Sequence, residues 1–92
     1  MPVVTLRIPT PLQPYADGRR TVTAEATTVG ELLDTLATQH ESLVQRIRAR
    51  DGSLRPYVNL YLHSTDIRDL DGLGTPLAAG DEVLVMPSVA GG

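Results

Sequence analysis

Thr28-Val29-Gly30-Glu31-Leu32-Leu33-Asp34-Thr35-Leu36 opens a helix, and that helix decides the fold class. Thr28 and Glu31 have capping-box spacing: the Thr28 hydroxyl accepts from a free first-turn amide and the Glu31 carboxylate reaches back. Val29, Leu32, Leu33 and Leu36 then recur at helical spacing and draw one apolar stripe. Gly30 inside the first turn is a small local penalty. A second stripe, Leu43, Val44 and Ile47, follows His40, either as the same helix bent or as a separate short one. Asp51-Gly52 marks the next turn.

Around this helix the apolar period changes to two. Val4, Leu6 and Ile8 alternate with Thr5 and Arg7, which predicts a half-buried strand over residues 4–8 that Pro9 ends. Residues 9–18 read as a proline-dense loop closing on the turn Asp17-Gly18. Residues 20–24 are rich in β-branched side chains and read as a second strand. After Pro56, Val58, Leu60 and Leu62 share one face of a third strand and Tyr57, Asn59 and Tyr61 the other. His63-Ser64-Thr65-Asp66 is turn chemistry, with Ile67 and Arg68 beginning a short edge strand. Residues 70–77 read as a loop with one tight helical turn. Gly80-Asp81 turns the chain into a last strand over residues 82–86, which Pro87 stops. Two strands, a helix and further strands make an α+β domain with the helix on one sheet face.

The 92 residues suffice for one domain and exclude a doubly wound nucleotide fold or a barrel enzyme. With no Phe and no Trp, the core is aliphatic. Cysteine is absent, which removes disulfides, thiolate metal sites and thiol nucleophiles. All eight basic residues are Arg, so neither a Schiff-base lysine nor a phosphate-loop lysine exists. A net charge of −3 and a pI near 5.1 argue against nucleic-acid binding. No apolar run reaches membrane-spanning length, and the start lacks a charged region followed by an apolar one, so a cytoplasmic protein is expected.

The last strand leads into Val83-Leu84-Val85-Met86-Pro87-Ser88-Val89-Ala90-Gly91-Gly92. Extended, the stretch from Pro87 to Gly92 reaches about 20 Å at roughly 3.3–3.6 Å per residue. Gly91 and Gly92 have no Cβ and suit a narrow channel. The reactive group there is the α-carboxylate of Gly92, which becomes an electrophile only as a mixed anhydride such as an acyl-adenylate. If a chain without cysteine carries sulfur, it cannot do so on a thiol of its own, and the C-terminus is the one place left.

In Pro87-Ser88-Val89-Ala90-Gly91-Gly92, Gly80-Asp81-Glu82-Val83 and Tyr57-Val58-Asn59-Leu60-Tyr61-Leu62, the chain resembles the MoaD/ThiS family of ubiquitin-like sulfur carriers over essentially its whole length. The resemblance implies a ubiquitin-like β-grasp domain over residues 1–87, its C-terminal strand central beside the first, and a flexible Gly-Gly tail over residues 88–92. It implies a co-substrate rather than an enzyme, with no bound cofactor. A ubiquitin-activating-like adenylyltransferase/sulfurtransferase uses ATP to adenylate the terminal glycine, and a sulfur source converts it to a thiocarboxylate. Ile8-Pro9-Thr10-Pro11-Leu12, the long first loop through Asp17-Gly18, and Gly72-Leu73-Gly74-Thr75 are most similar to carriers of actinobacterial-type cysteine biosynthesis. There a pyridoxal-phosphate cysteine synthase uses the thiocarboxylate and a hydrolase releases the product. The alternatives are the small subunit of molybdopterin synthase acting on its large subunit, a sulfur donor for another thio-metabolite, and a protein modifier conjugated through Gly92. A plain β-grasp interaction domain with an incidental tail is the last. His63 departs from the asparagine expected at the turn after the third strand.

If Val58, Leu60, Val83 and Val85 face the helix, then Tyr61, Leu84 and Met86 point outward with Arg7 beside them, a docking surface for the partner enzymes. The opposite strand parity would bury them instead. Pro87, Val89 and Ala90 extend that surface toward Gly91 and Gly92. Asp66, Asp69 and Asp71 are turn residues, because their spacing is wrong for a calcium loop. Arg46, Arg48 and Arg50 suit the solvated end of a helix better than an acidic partner.

Overall fold

The computed structural model describes residues 2–87. Strand β1 (Val3–Arg7) is followed by a 3-10 segment (Thr10–Ala16) and β2 (Thr21–Glu25). Helices α1 (Val29–Ala37) and α2 (Glu41–Ile47) come next, then β3 (Val58–Leu62), β4 (Thr65–Asp66) and β5 (Glu82–Pro87). The sheet order is β2-β1-β5-β3-β4, with β5 parallel to β1 and antiparallel to β3. The last strand is thus central, beside the first.

Helix α1 starts as its spacing predicts. Thr28 is the N-cap and accepts from the Glu31 amide at 3.1 Å. The Glu31 carboxylate reaches one residue further back than a capping box requires, accepting from the Thr27 amide at 2.9 Å. Val29, Leu32, Leu33 and Leu36 are fully buried. Gly30 has a packing reason that offsets its low helix propensity. A Cβ there would stand 3.2 Å from the Leu73 carbonyl oxygen, so the 3-10 turn at Gly72–Gly74 rests against the helix's first turn.

The second stripe forms a separate helix. The Thr38 hydroxyl donates back to the Thr35 carbonyl at 2.7 Å, a bond that competes with helix continuation, and Thr38-Gln39-His40 has no apolar side chain to bury. Restarting at Glu41 lets Leu43, Val44 and Ile47 enter the core. The Arg48 guanidinium, 2.6 Å from Asp34, ties the two helices together. The following turn is an Asx turn. The Ser53 hydroxyl (2.6 Å) and amide (3.0 Å) both donate to Asp51 Oδ1 and hold that carboxyl below its ordinary pKa.

The first strand lies one residue earlier than expected, over Val3–Arg7, the third begins at Val58, and the last includes Pro87. Three further expectations are corrected. The loop over residues 9–18 contains the 3-10 segment: Pro11 and Pro14 have φ angles compatible with it, Ala16 is buried, and Leu12 and Tyr15 pack against the core. The second strand runs over Thr21–Glu25, one residue later than read. The edge strand is Thr65–Asp66, and Ile67–Asp69 is a 3-10 turn. Asp66 Oδ1 accepts from the Arg68 amide at 2.8 Å, caps that turn and drops Ile67 into the core.

Arg68 closes this corner. Its guanidinium donates to Asn59 Oδ1 (2.6 Å), the Arg55 carbonyl (2.9 Å) and the Val58 carbonyl (2.8 Å). Hydrogen bonds from a charged donor contribute more than neutral ones. Arg68→Ala is expected to destabilise the domain by about 1–2 kcal/mol, because solvent access moderates the loss. Urea denaturation checks this; an unchanged midpoint would show that water replaces all three bonds.

Candidate functional site

One face of the sheet is covered by the helices and the other is open. Along β5 the two faces alternate: Val83 and Val85 are fully buried, while Leu84 and Met86 are 36% and 45% exposed. The predicted parity holds, because the inward residues meet Val58, Leu60 and Leu62 of β3 in one aliphatic core. Across the ladders, Leu84 stands opposite Arg7 on β1 and Tyr61 on β3, and Met86 opposite Asn59. Arg7, Tyr61, Leu84 and Met86 therefore share one exposed patch.

Beside this patch is an open recess of about 480 Å³ lined by Tyr61, His63, Ser64, Glu82, Leu84 and Met86. Glu82 pairs with Arg7 at 3.4 Å, and both side chains are more than half exposed, so the pair adds little energy. His63 and Ser64 form the two-residue turn between β3 and β4, both with left-handed backbone (φ 52° and 69°). A two-residue hairpin turn of this hand requires that conformation, and histidine supplies it where asparagine was expected. His63 Nε2 lies 3.1 Å from Asp81 Oδ1, and Asp81 Oδ2 accepts from the Ala78 amide at 2.8 Å. Asp81 thus joins the turn before β5 to the turn after β3.

His63 and Glu82 were not read as part of this surface. Period two holds the signal for both. Glu82 precedes Leu84 and Met86 on one face of β5, and His63 follows Tyr61 on the outer face of β3. Arg46 and Arg48 are engaged within the domain, Arg48 with Asp34 and Arg46 over the Tyr15 ring at 4.5 Å from its centroid.

Pro87 is the last ladder position, opposite Val58. Ser88, Val89, Ala90, Gly91 and Gly92 lie outside the described residues. Among the described residues no group of His, Asp or Glu side chains is arranged to hold a metal ion, and no helix is long and apolar enough to cross a membrane. Among the described residues no side-chain N or O atom is buried without a partner.

The ThiS family model matches residues 6–92. Sulfur carrier protein CysO of Mycobacterium tuberculosis is 36% identical over 91 residues, covering 97% of this chain and 98% of the relative. A chain in the crystal structure of the Amycolatopsis orientalis BexX/CysO complex superposes with a TM-score of 0.88 at 32% identity, covering 97% of this chain and 99% of that one. Small archaeal modifier protein 3 of Haloferax volcanii is 40% identical over 65 residues, covering 71% of this chain and 70% of the relative. With a central C-terminal strand, helices on one sheet face and these matches, the chain belongs to the ThiS/MoaD family of ubiquitin-like sulfur carriers with the β-grasp fold.

Proposed function

We propose that this carrier bears sulfur as a thiocarboxylate on Gly92 and donates it for cysteine biosynthesis. The observation that carries the reading is the placement of β5. Its exposed face presents Leu84 and Met86, and its last ladder residue, Pro87, directly precedes the Gly-Gly segment. A partner that grips Arg7, Tyr61, Leu84 and Met86 holds the carrier beside the root of the tail. Val89, Ala90, Gly91 and Gly92 then fill the partner's channel, where side chains larger than these would obstruct passage.

The domain acts as a co-substrate with no bound cofactor, in the cytoplasm. A ubiquitin-activating-like adenylyltransferase/sulfurtransferase binds ATP. The Gly92 carboxylate attacks the α-phosphorus, pyrophosphate leaves, and an acyl-adenylate results. A sulfide equivalent from the sulfur source displaces AMP at the acyl carbon and leaves –COS⁻, a better nucleophile than the carboxylate. A pyridoxal-phosphate cysteine synthase presents an O-activated serine whose oxygen-linked group departs, and the sulfur takes its place on the β-carbon. The product is a carrier–cysteine thioester, which shifts to the amide and is freed by a hydrolase. The likeness to the two CysO proteins supports cysteine as the product.

Intact-mass analysis tests the chemistry. Carrier incubated with the activating enzyme, ATP and a sulfur source should gain the difference between sulfur and oxygen on the peptide ending in Gly92. Adding the synthase should then bring the total gain over the unmodified carrier to one cysteine residue at the same place, because the thiocarboxylate sulfur becomes the cysteine sulfur. A thiocarboxylate that forms but yields no cysteine adduct with a competent synthase overturns the acceptor assignment. The likeness to the Haloferax modifier favours a second reading, conjugation of Gly92 to lysines of other proteins, which predicts isopeptide-linked Gly-Gly remnants on target peptides.

A further inference from the structure

A second recess lies away from the docking face, beside the start of β3. It measures about 310 Å³, and Tyr15, Ser42, Arg46, Arg55 and Tyr57 are among its lining residues. The Arg46 guanidinium sits over the Tyr15 ring, 4.5 Å from the centroid, which holds its flat face and leaves its N–H edge available. Arg55 Nε donates to the Gln45 carbonyl at 2.7 Å, which fixes that guanidinium too. Among the described residues neither arginine has a carboxylate partner, and the Tyr15, Ser42 and Tyr57 hydroxyls are unbonded. No Asp or Glu lines the recess. Two held guanidinium groups and three free hydroxyls, with no anion of their own, form a donor set in a chain whose net charge is −3.

An apolar groove of about 220 Å³ continues from this recess. Pro11, Leu12 and Val58 line it together with Tyr15, Arg46 and Tyr57, which border both halves. Val58 is also the ladder partner of Pro87, so the combined groove lies at the sheet end where β5 delivers the chain. A free phosphate has no use for the apolar half. A peptide carrying a carboxylate beside an apolar side chain uses both.

We propose that the groove formed by Tyr15, Arg46, Arg55 and Tyr57 at the end of β5 binds an acidic–apolar segment of the activating enzyme. The proposal rests on the carrier reading above. The pre-held guanidinium groups lose little side-chain freedom on pairing, and charge complementarity there orients the domain so that the tail points into the enzyme.

ATP–pyrophosphate exchange with the activating enzyme provides the test, with carrier concentration and salt varied. Arg46→Glu, alone and combined with Arg55→Glu, should raise the KM for carrier tenfold or more with kcat within twofold. The steep salt dependence of the wild-type KM should flatten. Arg19→Glu/Arg20→Glu changes net charge by the same amount as the double variant and should leave KM within about threefold of wild type. Thermal denaturation verifies folding; if the double glutamate variant is unfolded, Arg46→Gln replaces it. Equal KM values for the groove variant and the Arg19/Arg20 control overturn the proposal, as does a rise confined to the KM for ATP, which would assign the groove to nucleotide phosphates. Exchange that persists after deletion of Gly91 and Gly92 overturns the underlying carrier reading instead.

Discussion

Deleting Gly91 and Gly92 is expected to abolish activation while leaving the fold unchanged. The last ladder pair is Val58 with Pro87, and all core residues precede it, so the deletion removes no described contact. Thermal denaturation should superpose on wild type. Activation should fail for two reasons. The new terminus, Ala90, lies about 7 Å short at roughly 3.3–3.6 Å per residue. On the proposed reading it also brings a Cβ into the channel position that glycine would occupy. A misplacement of about 1 Å already costs on the order of 100-fold in rate, so a loss of at least that size is expected. ATP–pyrophosphate exchange reads it out, and full exchange by the truncated protein would refute Gly92 as the reacting residue.

Leu84→Glu and Met86→Glu are expected to weaken docking on the activating enzyme without unfolding the domain. Both side chains stand on the open face of a central strand, so a carboxylate there remains hydrated in the free protein, and surface changes of this kind shift stability by about 0.5 kcal/mol or less. At the interface the same carboxylate must be desolvated against apolar partner surface. Central apolar contacts contribute about 1–2 kcal/mol or more each, so the KM for carrier should rise about tenfold or beyond. Val85→Glu is the opposite control: it places a charge in the aliphatic core between α1 and the sheet and should unfold the chain. If Leu84→Glu and Val85→Glu lose stability equally, the open face is not a docking surface in the isolated domain.

Local chemistry made much of this protein legible from its residues alone. The Thr28 cap, the Val29-Leu32-Leu33-Leu36 stripe and the alternation in β3 and β5 depend on neighbours a few positions apart, so period and propensity suffice to place them. Strand parity followed from the same alternation, and with it the outward aim of Tyr61, Leu84 and Met86. The Gly-Gly end stands out in the sequence because, if a chain without cysteine carries sulfur, its C-terminal carboxylate is the place left for it.

The misreadings came from interactions that local pattern does not encode. Residues 9–18 look like loop by composition, yet Leu12, Tyr15 and Ala16 gain a core to pack against and the prolines suit a 3-10 path. Ile67 looks like a strand residue until Asp66 captures the Arg68 amide.

The sequence by itself determined the cap and buried stripe of α1, the alternation of the main strands and the outward aim of Tyr61, Leu84 and Met86. Only the tertiary structure decided the order β2-β1-β5-β3-β4, the Asp81 link to His63, and the meeting of Arg46 and Arg55 with Tyr15 and Tyr57. The physical reason is separation along the chain. The parallel pairing of β1 with β5 joins Thr5 to Glu82, and the geometry of such contacts is set by packing of the whole core rather than by the preferences of any short stretch.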